Sequence, residues 1–321
     1  MPDPFTWQDG ERTIRFGRGT VATAEELLGT GFTLLTTPRG EGAAPAVVAA
    51  AATVHHVRPG RVDEIAEELR GTVRGELLVA LGGGRVIDVT KALAAAAGPP
   101  VRAAAIPTTL SAAEMARGHR HAAGAPADTP NVRPAIVIND PDLSASQPLA
   151  ELAASAANSL AHAVEGAVTT RASPVPILAG QEAVRLTEAA YASGGEEPDR
   201  DALALAALLS GYTIDQSGLA LHHVLCQTIV RLAGGSHGPT NAAMLPHTIG
   251  ALRRRNATTV DATELARDLA RRAGAERLRD IGVDRDKLEE CVEAAAQRPQ
   301  LKLTPPPADA DEIRALYEAA W

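Results

Sequence analysis

The sequence has little of what several classes of binding site require. Its 321 residues include two cysteines, Cys226 and Cys291, which excludes a disulfide framework and a zinc site built from cysteines. Aromatic residues make up 2% of the chain, so few rings are available to stack on bases or sugars. The longest apolar runs are short and rich in alanine, whereas a membrane span needs roughly 20 apolar residues. A membrane partner is therefore not expected.

Positive charge is also scarce. The chain carries 31 Lys and Arg against 39 Asp and Glu, a formal net charge of -8, whereas a nucleic-acid partner needs a basic stripe. No basic segment followed by an apolar one opens the chain, so we do not expect secretion. With 45% hydrophobic and 22% charged residues the composition is globular. We expect a cytoplasmic protein that binds a small molecule and no nucleic acid.

The first half of the chain alternates short apolar runs with amphipathic stretches. The apolar runs predict buried strands, and the stretches between them predict helices and turns. Strands are expected at residues 32–36, 77–81, 101–106 and 135–138, helices at 62–69 and 86–97, and a turn at 38–40. Strands that alternate with helices predict a Rossmann-like parallel sheet that is covered on both faces.

The pattern changes near Pro148. Beyond this residue, helical patterns are interrupted by Gly and Pro clusters, and β-branched runs are almost absent. The interruptions fall at residues 171–176, 193–198, 234–239 and 298–307. We therefore predict an α/β domain over residues 1–147, followed by an all-helical domain over residues 148–321.

Three consecutive glycines stand between a predicted strand and a predicted helix. Gly82, Gly83 and Gly84 follow Leu81, and glycine at such a turn lets the backbone approach a pyrophosphate. Neither the G-x-G-x-x-G spacing nor the lysine of a Walker motif is present. On the glycines alone, a tight turn with no ligand is as good an interpretation as a phosphate cradle.

The residues around this turn resemble a known superfamily. Residues 82–91 resemble the G-G-G-S-x-x-D-x-x-K signature of the iron-containing alcohol dehydrogenases, and residues 106–115 resemble their P-T-T-x-x-x-S/G-E motif. The resemblance implies a dehydroquinate synthase-like fold with NAD(P)H as cofactor, bound by the N-terminal domain. It assigns cofactor contacts to Gly82, Gly83, Gly84, Asp88, Thr108 and Thr109. Thr37, after the first predicted strand, is a further candidate for a ribose hydroxyl or its phosphate, which leaves NADH and NADPH both open.

Histidines cluster in the helical half. Asn158 and His162 are four residues apart and therefore share one face of a helix. His222 and His223 open another helical stretch, and His237 follows His223 by fourteen residues. A transition-metal site needs three or four N or O ligands that converge from different elements, and this pattern could supply them. A single buried histidine is nevertheless more often a hydrogen-bonded packing residue than a ligand.

The histidine pattern extends the resemblance. Metal-dependent members of the superfamily carry D-x-x-x-H, then a histidine, then another fourteen residues later, and His162, His223 and His237 match these three in turn. Residues 158–165, 220–227 and 245–247 are most similar to the maleylacetate reductase branch, with which the chain shares Asn158 in the aspartate position. Gln227 departs from both branches, which usually have histidine there.

The resemblance implies roles for these residues. It makes His222, His223 and His237 the candidates for catalysis, and His162, His223 and His237 the ligands of iron or zinc if a metal is bound. Because the Asn158 amide replaces a carboxylate, the expected affinity for a divalent metal is reduced.

The implied activity is that of an NAD(P)H-dependent reductase of a small activated carbonyl or enoyl acid, acting as a homodimer. An anionic substrate needs positive charge, for which Arg117 and Arg231 are candidates, although arginines usually lie on solvated surfaces. Three alternatives remain: a non-redox enzyme for proton transfer, dehydration or condensation on the same fold, a metal-dependent alcohol dehydrogenase, and a binding or scaffolding protein.

Overall fold

A seven-stranded sheet forms the centre of the N-terminal part of the chain. The computed structural model describes residues 3–145, 147–192, 197–255 and 260–321. The strands are β1 (Phe5–Asp9), β2 (Arg12–Phe16), β3 (Thr33–Thr36), β4 (Thr53–His56), β5 (Leu77–Gly82), β6 (Arg102–Pro107) and β7 (Ile136–Asn139). Their order in the sheet is β1-β2-β7-β6-β5-β3-β4, and every neighbouring pair is parallel except β1 with β2.

The central strands are buried on both faces, as their apolar sequences require. Each residue of β3 and β7 is buried, and so is all of β5 and β6 beyond the first residue. The helices of this unit are α1 (Glu25–Leu28), α2 (Pro38–Ala43), α3 (Pro45–Ala50), α4 (Val62–Arg70) and α5 (Gly84–Ala97). One apolar core contains Ile65 of α4 and Ile87 of α5, and a second contains Leu34, Leu81 and Ile106.

The turn predicted at residues 38–40 is wrong, because these residues form the first turn of α2. Thr37 caps the helix, its hydroxyl accepting a hydrogen bond from Gly40 N at 3.1 Å, and Pro38 takes the first helical position. A Cβ atom on Gly40 would lie 2.9 Å from the carbonyl oxygen of Leu81. Glycine here therefore serves close packing on β5 and does not break the helix.

The C-terminal part of the chain is helical. Its helices are α6 (Leu149–Gly166), α7 (Pro174–Tyr191), α8 (Arg200–Ser217), α9 (Leu221–Leu232), α10 (His237–Arg254), α11 (Thr263–Arg272), α12 (Leu288–Ala296) and α13 (Ala310–Ala320). Small residues let these helices approach closely: a Cβ on Gly166 would lie 2.8 Å from the Thr213 side chain, and one on Gly180 would lie 2.8 Å from Ala163 O.

Two predicted interruptions are narrower than expected. Helix α7 begins at Pro174 and α10 at His237, so Gly238 and Pro239 lie in the first turn of a helix, where proline costs no hydrogen bond. Residues 193–196 of a third predicted interruption lie outside the described residues.

The structure confirms the predicted class, an α/β unit with a parallel sheet and a helical unit. The chain divides into two compact units, Met1–Gln147 and Pro148–Trp321. Within the described ranges, no helix combines the length and apolar character needed to cross a membrane.

Candidate active site

In the N-terminal unit, the glycine turn packs against the segment that follows β6. Gly82 ends β5, Gly83 precedes α5 and Gly84 begins it. A Cβ on Gly83 would lie 3.1 Å from the Thr109 side chain, and one on Gly84 would lie 3.0 Å from Ser111 Cβ. Any larger side chain would push these segments apart. The predicted cofactor residues of both motifs therefore lie side by side.

The beginning of α5 suits an anion. Gly83 offers no side chain to cap the helix, so the first backbone N–H groups of α5 have no side-chain acceptor there. Thr108 follows β6 and its backbone N donates to Gly82 O at 3.1 Å, which places Thr108 beside the same turn. Peptide N–H groups, the positive end of a helix dipole and flanking hydroxyls are the groups that bind a pyrophosphate. These residues fit the dinucleotide that the motifs predict.

Two buried cations fix the segment after Thr109. Lys91 is fully buried, and its Nζ donates to the carbonyl oxygens of Ala113, Ala116 and Gly118 at 3.0, 2.9 and 3.1 Å. Arg12 Nη2 donates to the carbonyl oxygen of Glu114 at 3.1 Å, and Arg12 Nη1 donates to Met115 O at 3.3 Å. The lysine of the first motif therefore positions the second motif.

Asp88 and Thr37 already have partners within the protein. Asp88 Oδ1 lies 2.8 Å from Lys91 Nζ, and the Thr37 hydroxyl caps α2. Their roles toward a cofactor stay predictions. Glu114, which the sequence reasoning did not single out, is buried, and this burial raises its pKa to about 7 despite the nearby charges of Lys91 and Arg12.

In the C-terminal unit, α6 and α9 bring two of the predicted histidines together. Asn158 and His162 lie one turn apart on α6, and His223 lies in the first turn of α9. The His162 and His223 rings stack with their centroids 4.5 Å apart and their planes 10° apart, and both residues are buried. His237 begins α10 and is exposed, and its charged form would lower the pKa of both buried histidines.

A carboxylate that the sequence reasoning missed holds His223. Glu165 Oε2 lies 2.6 Å from His223 Nδ1, and both side chains are almost fully buried. Glu165 Oε1 accepts from the backbone N of His222 at 2.5 Å and of His223 at 3.4 Å. The only signal for it was its place three residues after His162, in a segment already notable for its resemblance.

The hydrogen bond to Glu165 determines which nitrogen of His223 is available. Burial, with the charges of His237 and Arg298, lowers the pKa of His223 to about 3, so its imidazole is neutral near pH 7. Its single ring proton then lies on Nδ1, facing Glu165, and Nε2 carries the lone pair. Burial raises the pKa of Glu165, and the backbone N–H groups of His222 and His223 oppose that rise.

Three polar atoms of this cluster have no hydrogen-bond partner in the part of the chain that the structure describes. They are Asn158 Oδ1, His162 Nδ1 and His223 Nε2, and each is buried. Burial lowers the pKa of His162 well below its usual value, so this ring is neutral as well. A buried polar atom without a partner costs about 1–3 kcal/mol, so a group of three indicates a site whose polar atoms serve a ligand.

The geometry argues against the predicted catalytic role of His222. Its Nδ1 lies 2.8 Å from Thr248 Oγ1 and its Nε2 lies 2.9 Å from Asn241 Oδ1, with all three residues buried. Burial lowers its pKa to about 3. Both ring nitrogens are therefore occupied, and His222 acts as a packing residue that joins α9 to α10.

The cluster does not fit a metal ion as it is arranged. A metal ion lies close to the plane of each imidazole that binds it, whereas the His162 and His223 rings are stacked in nearly parallel planes that do not meet near the two rings. Asn158 contributes an amide oxygen where a charged carboxylate would bind more strongly. Across the described parts of the chain, no group of three or more His, Cys, Asp or Glu side chains could hold a metal ion. The predicted ligand set of His162, His223 and His237 is therefore not formed.

Comparison with known proteins agrees with these features. Residues 152–273 match the family described as "Fe-containing alcohol dehydrogenase family, C-terminal". Maleylacetate reductase from Rhizobium sp. (strain MTP-10005) is 28% identical over 99% of this chain and 98% of its own length. Maleylacetate reductase from Pseudomonas aeruginosa is 30% identical over 84% of this chain and 80% of its own length.

Solved structures share the whole fold. The crystal structure of maleylacetate reductase from Agrobacterium tumefaciens has a TM-score of 0.79 and 26% sequence identity, and the match covers 100% of this chain and 99% of that one. Both units are therefore present in a similar protein, and the similarity is not limited to the nucleotide motifs. The chain belongs to the iron-containing alcohol dehydrogenase family and is an oxidoreductase.

Proposed function

We propose that this oxidoreductase is an NAD(P)H-dependent reductase of a small, anionic, activated carbonyl or enoyl acid, and that maleylacetate is its first candidate substrate. The observation that carries the proposal is the buried cluster of Asn158, His162 and His223, in which one polar atom of each residue has no hydrogen-bond partner among the described residues. The similarity to maleylacetate reductases across both units supports the choice of substrate.

The N-terminal unit would hold the cofactor. Gly82, Gly83 and Gly84 would let the backbone approach the pyrophosphate, and Thr108 and Thr109, which lie beside this turn, would help to hold it. The bound cofactor supplies a hydride for an electron-poor carbon of the substrate. Lys91 and Arg12 keep the threonine segment in place, which is a positioning role rather than a contact with the reacting atoms.

The C-terminal unit would supply the proton. His223 is held with Nε2 directed away from Glu165, so Nε2 can donate a hydrogen bond to a substrate oxygen once it carries a proton. A negatively charged substrate nearby raises the pKa of His223, and the Glu165 carboxylate stabilises the imidazolium that forms when Nε2 takes up a proton. From Nε2, His223 can then deliver this proton to the substrate. His162, stacked on the ring, fixes its orientation.

The alternatives are not favoured. A metal-dependent alcohol dehydrogenase requires a converging ligand set, which the stacked histidines and Asn158 do not form. The reported relatives that cover both units are reductases, which favours redox chemistry over a recruited non-redox reaction or a scaffolding role. The predicted homodimer and cytoplasmic location stay predictions.

The proposal is tested with the purified protein, NADH or NADPH, and maleylacetate. We expect fluorescence titration to show cofactor binding, and we expect the absorbance of the reduced cofactor to fall when maleylacetate is added. Elemental analysis should find less than one iron or zinc per chain, and a chelator should leave the rate unchanged. Absence of cofactor binding at millimolar concentration would falsify the reductase proposal.

A further inference from the structure

We propose that Arg298, held in place by Gln227, binds a carboxylate of the substrate and makes the site selective for dicarboxylates. This inference rests on the proposed function and adds to it the residue that recognises a substrate carboxylate. The segment that contains Arg298 lies outside the residues whose motifs resemble the family.

The candidate cations from the sequence do not serve this purpose. Arg117 and Arg231 are both exposed, as charged side chains usually are. Arg298 is half-buried and lies just before the short helical segment Pro299–Leu303, and its backbone N donates to Ala295 O at 3.0 Å. Its backbone is therefore fixed to the end of α12.

Gln227 connects Arg298 to the histidine cluster. Gln227 lies four residues after His223 on α9, so the two side chains are neighbours on one helix face. Its Oε1 accepts a hydrogen bond from Arg298 Nη2 at 2.8 Å. The positive charge of Arg298 is close enough to act on His223, whose pKa it lowers together with burial and His237. Gln227 therefore holds a guanidinium beside the helix that carries His223.

The identity of residue 227 matters because an amide carries no charge. The amide orients the guanidinium through one of its five N–H groups and adds no charge of its own. A carboxylate at the same position would hold the guanidinium as firmly but would place a negative charge where a substrate carboxylate is proposed to bind. Planar guanidinium groups bind carboxylates through two parallel hydrogen bonds, so a carboxylate-bearing substrate is the ligand that suits Arg298.

Four variants test this inference: R298Q, which removes the charge, R298K, which keeps the charge, Q227E, which keeps Arg298 but places a carboxylate against it, and R185Q, an exposed control on α7. We expect R298Q and Q227E to raise the KM for maleylacetate by about 10- to 100-fold with a smaller change in kcat, because each removes a charge-assisted contact to substrate. R298K, which keeps the charge but loses the planar fork, should fall between wild type and R298Q. R185Q should match the wild type.

Q227E separates binding from structure. If Arg298 only supports the fold, the ion pair between the introduced carboxylate and Arg298 should preserve both Tm and KM. If Arg298 binds substrate, Tm should be preserved while KM rises. An unchanged KM in both R298Q and Q227E would overturn the inference.

A binding measurement keeps the test independent of turnover. Isothermal titration with maleate, a dicarboxylate, should show binding to the wild type and at least 10-fold weaker binding to R298Q and Q227E. The affinity for acetate, which has one carboxylate, should differ much less between the wild type and the variants. If maleate binds in this pattern but no substrate oxidises NAD(P)H, the reductase proposal fails and the carboxylate site stands. Equal maleate binding by all variants, or none by the wild type, would refute the carboxylate site.

Discussion

The contact between Glu165 and His223 allows a sharp test through Glu165→Gln. The substitution keeps the size of the side chain, and its single amide oxygen is needed where Oε1 accepts from the backbone N of His222 and His223. The NH₂ group then faces His223 Nδ1 and cannot accept its proton, whereas Glu165 Oε2 accepts it at 2.6 Å. Two results follow for His223. The imidazole is driven to the tautomer with its proton on Nε2, and the imidazolium loses the carboxylate that stabilises it.

The size of the effect follows from this one hydrogen bond. A hydrogen bond to a charged group contributes about 1.5–3 kcal/mol, and the buried setting of this pair places it toward the upper end of that range. Because about 1.4 kcal/mol corresponds to tenfold in rate, we expect kcat to fall by about 100-fold or more. KM should change little, since the carboxylate touches His223 and not the substrate.

Steady-state oxidation of NAD(P)H by maleylacetate measures this effect. Glu151→Gln is the matched control, because Glu151 lies on the same helix, α6, but is exposed, and we expect its kcat and KM to equal those of the wild type. Circular dichroism of Glu165→Gln should show a folded protein. A folded Glu165→Gln variant with wild-type kcat would refute the role given to this carboxylate.

Three further predictions concern other buried groups. Lys91→Met should destabilise the protein by about 3–5 kcal/mol in urea unfolding, because three carbonyls and Asp88 lose their buried partner. The control Lys302→Met, at an exposed site, should leave the unfolding midpoint unchanged. Burial raises the pKa of Glu114 from 4.5 to about 7, so the stability that this group contributes is present below pH 4.5 and is lost as pH rises through 7. Glu114→Gln should therefore be more stable than the wild type at pH 8, by up to roughly 3 kcal/mol, and should lose this part of the pH dependence. His222→Gln should lower Tm but keep kcat within a few-fold, and a loss of kcat in the folded variant would restore His222 to the mechanism.

The central strands could be predicted because burial on both faces requires continuous runs of apolar residues, which are visible in the sequence. β3, β5, β6 and β7 are covered on both faces, so nearly every residue is apolar. β1, β2 and β4 show no such run and were missed. β1 and β4 lie at the two edges of the sheet and are largely exposed or half-buried, and β2 alternates buried with half-buried residues. The order of the strands depends on pairings between distant segments, which local sequence does not report.

In the site, too, contacts between residues close in sequence could be predicted, whereas contacts between distant segments could not. Asn158 and His162 share a helix, so their spacing alone predicted that they lie together. Glu165 and His223 are 58 residues apart, and Gln227 and Arg298 are 71 apart, so these contacts exist only once the helices pack.

Adjacent histidines posed a different difficulty. His222 and His223 look alike in sequence, but successive residues on a helix point about 100° apart. Only His223 has its ring facing Glu165, whereas the His222 ring bonds to Thr248 and Asn241. Sequence reasoning could not decide which of the two serves catalysis.

The most direct test of a metal-independent reductase that uses His223 is NAD(P)H oxidation by maleylacetate in the presence of a chelator, with wild type and His223→Ala compared. We predict that the wild type turns over at the same rate with and without the chelator, and that His223→Ala binds the cofactor but turns over at least about 100-fold more slowly. Turnover that disappears with the chelator and returns with iron or zinc, or wild-type turnover in His223→Ala, would contradict it.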